Sequence, residues 1–395
     1  MKTKLLVATL AMLALVAGCG VGSRTMPNPG SGPLKILVFY DQSAEPTTNT
    51  AQILPLLAQN KSAISALAPL WYKVMPDGSV RDLSVNGLKS WAKSHGIALM
   101  PLVVNYGGTG QFLLSASARS TAVSQLASIL KRENYAGLNI DFELLKPDAR
   151  DGLTLLMQSL YTQVHAMGKQ LSVDVIPSGT TRKANTGVYN YPALAKASNE
   201  IVLMTYDDHD SGSAPGPIAP LAWVTQRVNE ALRIGVPPQK LIVGLADYGY
   251  DWPAGSTKAA TLPLSTIEQW ITSGKARISR LADGSPHFTY SVNGVVHTVW
   301  YEDGVAIVPI VQLARSKDVE GLALWLGGYE TTNYWKALRG AAGTGPSTTT
   351  IRAGSKSSAS AIPKPSSAAR PGRVGGSSTA SGSKAGSSKA SSSAA

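Results

Sequence analysis

Residues 136–143 read Ala-Gly-Leu-Asn-Ile-Asp-Phe-Glu. Leu138, Ile140 and Phe142 alternate with Asn139, Asp141 and Glu143, and a period of two sends successive side chains to opposite faces of a β-strand. One face is apolar; the other carries an amide and two carboxylates. Burying such a face without partners costs roughly 1–3 kcal/mol per polar group, so the strand must line a polar space that serves a purpose. Two carboxylates in one space interact, which leaves a shared proton or one acid with a raised pKa, the property a general acid needs near neutrality. Glu143, outermost, is the candidate proton donor, and Asp141, one step deeper, is placed to hold and orient.

Seven other short runs rich in apolar, β-branched and aromatic residues flank this one, at 34–41, 67–74, 96–106, 170–179, 200–208, 240–252 and 321–330. Amphipathic stretches such as Ser117 to Arg132 and Asp151 to Gly168 separate most of them. The alternation predicts βα units and a parallel sheet. With eight strands the economical topology is an α/β fold, the (β/α)8 TIM barrel, whose functional residues gather at the C-terminal strand ends. The gap before the last strand is longer than the rest. Within it, residues 287–303 (HFTYSVNGVVHTVWYED) alternate around Asn293-Gly294, a strong hairpin signal, and predict a small α+β insertion over about residues 253–320.

The string AGLNIDFE resembles the signature of glycoside hydrolase family 18, the chitinase-like family, in which Asp-Gly-x-Asp-x-Asp-x-Glu ends the fourth barrel strand. Ala136 and Asn139 stand where that signature has its first two carboxylates; Asp141 and Glu143 match the last two. Gly-Leu-Asn-Ile-Asp-Phe-Glu is similar to the variant of the spore-germination and cortex-fragment-lytic branch, whose members act on peptidoglycan-type glycans. Other segments resemble the same branch in order: Met204-Thr205-Tyr206-Asp207, Pro215 to Pro220, Tyr248 to Trp252, Trp300 to Asp303, and Trp325 in Leu322-Ala323-Leu324-Trp325.

The resemblance implies hydrolysis of N-acetylglucosamine-containing glycan with retention, the substrate's own acetamido oxygen attacking the anomeric carbon. Glu143 is then the acid, Asp141 the orienting carboxylate and Tyr206 the donor to the acetamido group. Asn139, Asp207, Tyr250, Trp300, Glu302 and Trp325 are expected to bind substrate, Trp325 as the floor of the sugar subsite. Trp71 and Trp252 are further stacking candidates. No cofactor or metal is expected, His209 between Asp208 and Asp210 reading as a solvated loop, and the protein is expected to be a monomer. A chitinase acting on chitooligosaccharide, or an inactive glycan-binding lectin on the same barrel, would use the same residues.

The formal charge of +12 belongs to the ends of the chain. Without Lys2, Lys4 and the seven basic residues that follow Gly340, the body carries +3, too little to argue for a nucleic-acid partner, and no nucleic-acid-binding motif is present. Lys2 and Lys4 precede an apolar run from Leu5 to Val16, the pattern of an export signal, which ends in Val16-Ala17-Gly18-Cys19. A small-residue site directly before the sole cysteine resembles a bacterial lipobox. It implies cleavage after residue 18, lipidation of Cys19 and anchoring to the outer face of the cell membrane. Residues 19–33 read as a flexible tether, 34–340 as the catalytic barrel, and 341–395, nearly all Ser, Ala, Gly, Lys, Pro and Thr, as a tail without a core.

Overall fold

The computed structural model describes residues 32–41, 50–178, 187–256 and 258–344. The expected export signal, Cys19, most of the tether and the tail from residue 345 lie outside the described residues. The strands are β1 (Lys35–Tyr40), β2 (Ala66–Val74), β3 (Val80–Asp82), β4 (Leu102–Asn105), β5 (Gly137–Asp141), β6 (Gln170–Val175), β7 (Glu200–Leu203), β8 (Leu241–Ala246), β9 (Tyr248–Pro253), β10 (Ala260–Pro263), β11 (Ser279–Arg280), β12 (Pro286–Val292), β13 (Val295–Tyr301) and β14 (Gly321–Trp325).

Eight of them form a parallel barrel in the order β1-β2-β4-β5-β6-β7-β8-β14, which β1 closes by pairing with both β2 and β14. β3 adds an antiparallel step on β2. Sequences such as Lys35-Ile-Leu-Val-Phe-Tyr40 are near-continuous apolar runs because each strand is covered on both faces. Outward residues such as Ile36, Leu138, Ile140, Leu171 and Val243 pack with the helices in one core, while Leu37, Phe39, Ala68, Leu102, Val202, Ile242 and Ala323 fill the barrel in another. Strands β5 and β6 run so close that a Cβ on Gly137 would lie 2.3 Å from the Gln170 carbonyl oxygen.

The helices follow local signals. Ala116–Glu133 begins where the Ser115 side chain accepts from the Ala118 N–H and ends at Asn134 in the left-handed conformation. It buries Ala118, Ala122, Leu126, Ile129 and Leu130, a helical stripe, against the barrel. Arg150–Ala166 occupies the stretch expected from 151 to 168.

Two boundaries differ from the sequence expectation. Residues 240–252 are not one strand: β8 ends at Ala246, and Asp247 turns the chain away. Its N–H donates to the Trp325 carbonyl, while its carboxylate accepts from the Leu326 N–H at 2.6 Å. From Tyr248 the chain joins a separate antiparallel sheet in the order β10-β9-β13-β12-β11. This insertion ends at Tyr301. Helix Gly304–Ser316, which was expected inside it, contacts Leu221–Arg233 and Thr332–Ala342 as the helix linking β8 to β14. Asp303 starts that helix by accepting from the N–H groups of Val305 and Ala306. The hairpin is as the sequence predicts: β12 and β13 meet at Asn293-Gly294, both at positive φ (52° and 80°), the backbone that a two-residue turn of matching twist requires.

Candidate active site

On the inner face of β5 and β6, register pairs Asn139 with Ser172. The Asn139 amide donates through Nδ2 to Ser172 Oγ and to Asp174 Oδ1, each at 2.8 Å. Asn139, Ser172 and Asp174 are buried, and Asp141 is 8 % exposed. Burial first, and then the charge of Glu143, push the Asp141 carboxyl well above the usual carboxylate range; Asp174 adds to it. Asp174 is raised by the same burial, offset in part by the hydrogen bond from Asn139. The Oδ1 atoms of Asn139 and of Asp141 are buried without a hydrogen-bond partner.

Glu143 lies beyond the last residue of β5 and is half-buried. Strand pairing therefore does not hold it; side chains do. Asn105, at the end of β4, accepts from the Glu143 N–H at 3.0 Å and donates to the Glu143 carbonyl at 2.9 Å. The preceding carbonyl, of Phe142, accepts from the buried Tyr189 hydroxyl at 2.9 Å. The Phe142 ring meets Phe112 edge-on at 5.2 Å on the outer side of the strand. Leu144 follows at φ 56°, a left-handed turn uncommon for leucine, directly after the candidate acid.

Tyr206 and Asp207 follow β7 at the same end of the barrel. Burial and the nearby carboxylates of Asp174, Asp141 and Glu143 push the Tyr206 hydroxyl well above the tyrosine range, which keeps it a hydroxyl donor. Asp207, at φ 63°, accepts from the hydroxyls of Tyr248 at 2.6 Å and Tyr250 at 3.0 Å through one oxygen. The insertion is thereby joined to the barrel mouth. Trp325, the last residue of β14, is half-buried with its ring 5.4 Å from Phe39, and the Trp325–Leu326 peptide is cis. Tyr206, Trp300 and Trp325 all pack against the one apolar cluster that runs from the barrel interior to Tyr248, Tyr250 and Trp252 of the insertion. Trp300 stands beside Tyr250 in the insertion sheet and stacks on His287 at 4.3 Å, so Tyr250, Trp300 and His287 form one cross-strand row.

Of the residues singled out from sequence, Asp141, Glu143, Tyr206, Asp207, Tyr250, Trp300 and Trp325 gather at the C-terminal end of the barrel. Two expected to touch substrate do not line the surface. Asn139 is fully buried, one layer beneath Asp141, because the strand period carries it deeper. Glu302 is 1 % exposed, its carboxylate beside the Ala219 N–H without a well-formed hydrogen bond. Trp71 and Trp252 are buried ring packing, Trp252 donating to the Ser213 carbonyl. His209 donates through Nδ1 to the Ala214 carbonyl, and the described residues hold no cluster of metal-ligating side chains. Sequence reading missed Asn105, Asp174 and Tyr189. Only Asp174 left a signal there, the Ser172/Asp174 alternation in Leu-Ser-Val-Asp-Val beside the Asn139/Asp141 alternation.

An eight-stranded parallel barrel with acids converging at its C-terminal end defines a class of enzymes with many chemistries, and a family match narrows it. The profile of the glycosyl hydrolases family 18 matches residues 35–330, and the chain belongs to that family. It is 26% identical over 271 residues to the uncharacterized glycosylase YvbX of Bacillus subtilis, covering 63% of this chain and 76% of that one. It is 22% identical over 291 residues to the cortical fragment-lytic enzyme of Bacillus anthracis, covering 70% of this chain and 67% of the other. The putative sporulation-specific glycosylase YdhD of Bacillus subtilis is 30% identical over 221 residues, 54% of this chain but only about half (52%) of the relative. Among solved structures, a chitinase from Chromobacterium violaceum superposes with a TM-score of 0.71 at 25% identity, over 78% of this chain and 98% of that one. The spore cortex-lytic enzyme SleL of Bacillus megaterium has the same fold, with a TM-score of 0.68 at 23% identity over 78% and 74%.

Asn105→Ala removes both hydrogen bonds that hold the Glu143 backbone. It is expected to lower unfolding free energy by about 1–3 kcal/mol, read by urea denaturation, and to lower kcat more than it raises KM. A second expectation concerns pH. Burial favours the protonated form of Asp141, so the folded chain keeps a proton that the unfolded chain releases above about pH 4. The acid therefore costs stability as pH rises from there through its elevated folded value. Asp141→Asn should raise the melting temperature at pH 7, with the gain shrinking toward pH 4, as followed by calorimetry across that range.

Proposed function

We propose that this chain hydrolyses β-1,4 bonds of N-acetylglucosamine-containing wall glycan by a retaining mechanism in which the substrate's acetamido group takes part. The observation that carries the reading is the convergence, at one barrel mouth, of Glu143 on a pinned backbone, buried Asp141 beneath it and the Tyr206 hydroxyl. In an ordinary retaining glycosidase a second carboxylate is the nucleophile. Here Asp141 is buried and positioned for orientation, and the acetamido oxygen of the bound sugar supplies the nucleophile.

Glu143 donates its proton to the glycosidic oxygen as the C1–O bond breaks and the acetamido oxygen bonds to C1, forming an oxazolinium ion. Asp141 accepts from the acetamido N–H through its unprotonated oxygen and orients the group for attack. Tyr206 donates to the acetamido oxygen and holds it in line for attack. Glu143, now a carboxylate, takes a proton from the water that opens the oxazolinium, which restores the acid and retains configuration. Trp325 forms the floor beneath the sugar, while Asp207, Tyr250 and Trp300 border it. The cortex-lytic relatives support peptidoglycan-type glycan as the substrate.

We further propose that the chain is exported and lipid-anchored at Cys19, so that the barrel meets its glycan outside the membrane. Multiple acyl chains would hold it firmly where one alone would not. Cys19→Ser is expected to move the protein from the membrane fraction to the medium and to abolish incorporation of labelled fatty acid.

Digestion of purified peptidoglycan and of chitooligosaccharides, with products identified by mass, tests the reaction. Glu143→Gln should reduce turnover by about 100- to 10,000-fold, and de-N-acetylated substrate should be cleaved poorly by the unsubstituted chain. Release from chitooligosaccharides alone would make the protein a chitinase. Binding without turnover by the unsubstituted chain would make it a lectin.

A further inference from the structure

The acid–base scheme leaves one buried carboxylate at the site without a task. Asp174 is 2 % exposed on the inner face of β6, beside β5 and within hydrogen-bond reach of Asn139. Among the described residues no cation pairs with it; it accepts from the Asn139 amide, which also donates to Ser172. An uncompensated carboxylate in a barrel interior is costly, and an apolar residue at this position would pack with the rest of that interior. The structure instead uses Asn139 as a bridge. Both hydrogens of its Nδ2 are engaged by Ser172 and Asp174, so its Oδ1 is left to the other side, buried and without a partner. On the same strand face, two residues on, Asp141 Oδ1 is buried and without a partner too. Each is an acceptor left unsatisfied in a dry interior, which costs more for an ionised carboxyl at Asp141 than for a protonated one.

We propose that Asp174 is a positioning residue of the site: through the Asn139 amide it supplies from β6 the inner negative charge beneath Asp141 that β5, with an amide at 139, does not carry. The inference rests on the reading of Asp141 and Glu143 given above and extends it. The amide decides which of two buried acids is charged. By donating to Asp174 it favours the ionised form there, and the like charge so close favours the protonated form of Asp141. The groups facing this pair are Glu143 beyond β5, Tyr206 after β7 and Tyr189, which all lie within electrostatic reach of both acids. The two tyrosines remain neutral, so the charge balance is set by the three acids. Asp141 thereby meets an incoming acetamido group in a defined protonation state and rotamer, without Asp174 touching the sugar.

The test moves the charge across the bridge. Asp174→Asn should lower kcat by about tenfold, one pK unit of proton affinity expressed as rate, change KM little, and shift the pH–rate profile. Asn139→Asp combined with Asp174→Asn returns a carboxylate to the same layer from β5 and should recover most of the rate and restore the profile. Carbon-13 carboxyl titration by NMR, with the Asp141 and Asp174 resonances assigned by their loss in the Asn variants, gives a reading that needs no turnover. In the unsubstituted chain Asp174 should be ionised and Asp141 protonated at neutral pH, and Asp141 should titrate at lower pH in Asp174→Asn. An unchanged Asp141 titration in that variant would overturn the proposal, as would ionisation of both acids at neutral pH. So would a double variant that folds but recovers neither rate nor titration, because Asp174 would then be structural only. If the unsubstituted chain cleaves no glycan while the titrations behave as expected, the hydrolase reading fails and the charge arrangement stands.

Discussion

Closure of the barrel is the constraint on which the rest depends. Because β1 pairs with both β2 and β14, every barrel strand has a neighbour on each side, and no backbone edge is left to water. The interior is then a narrow, filled space in which an inward polar side chain can meet another inward side chain, or the mouth, and little else. Small residues at Ala66, Ala68 and Ala323 alternate there with larger ones such as Leu37, Phe39, Leu102, Val202 and Ile242. The polar residues Asn139, Asp141, Ser172 and Asp174 are confined to β5 and β6. Their mutual hydrogen bonds and elevated carboxyl pKa values follow from that confinement.

Beyond the strand ends the controlling interactions change from ladder hydrogen bonds to side chains. Glu143 stands past the end of β5, and its backbone is set by Asn105 from β4 and, one residue earlier, by Tyr189. Asp247 does the corresponding work on the other side, breaking the run of β8 into β9 and binding the turn after Trp325. Tyr248 and Tyr250 then reach back to Asp207, so the insertion sheet is tied to the barrel by hydroxyl–carboxylate bonds at the mouth. Side-chain hydrogen bonds of this kind order Glu143, Asp207 and the turn after Trp325 at the barrel mouth where strand pairing has ended.

Retaining buried acids at Asp141 and Asp174 opposes folding, since each must lose hydration without a cation to replace it. Stability elsewhere offsets this: the outer core between strands and helices is extensive and includes fully buried Trp71, Tyr334 and Trp335. The site is thus a locally unfavourable cluster held by a favourable surround, the expected form of a functional centre in an otherwise consistent fold.

The alternation in residues 136–143, the eight apolar runs and the Asn293-Gly294 turn determined the barrel, the fourth-strand acids and the insertion hairpin, because each is a local pattern with one compatible backbone. The same patterns did not reveal that the strand run at 240–252 breaks at Asp247, since both halves are strand and only the hydrogen bonds to Trp325 and Leu326 separate them. They placed Asn139 and Glu302 among substrate contacts, whereas depth in the barrel removes Asn139 from the surface and burial where the insertion sheet ends removes Glu302. Asn105, Tyr189 and Asp174 act across 38, 47 and 35 residues of sequence. Which side chains converge over such distances is set by barrel closure and strand register, so the supporting half of the site was decided only by the tertiary structure.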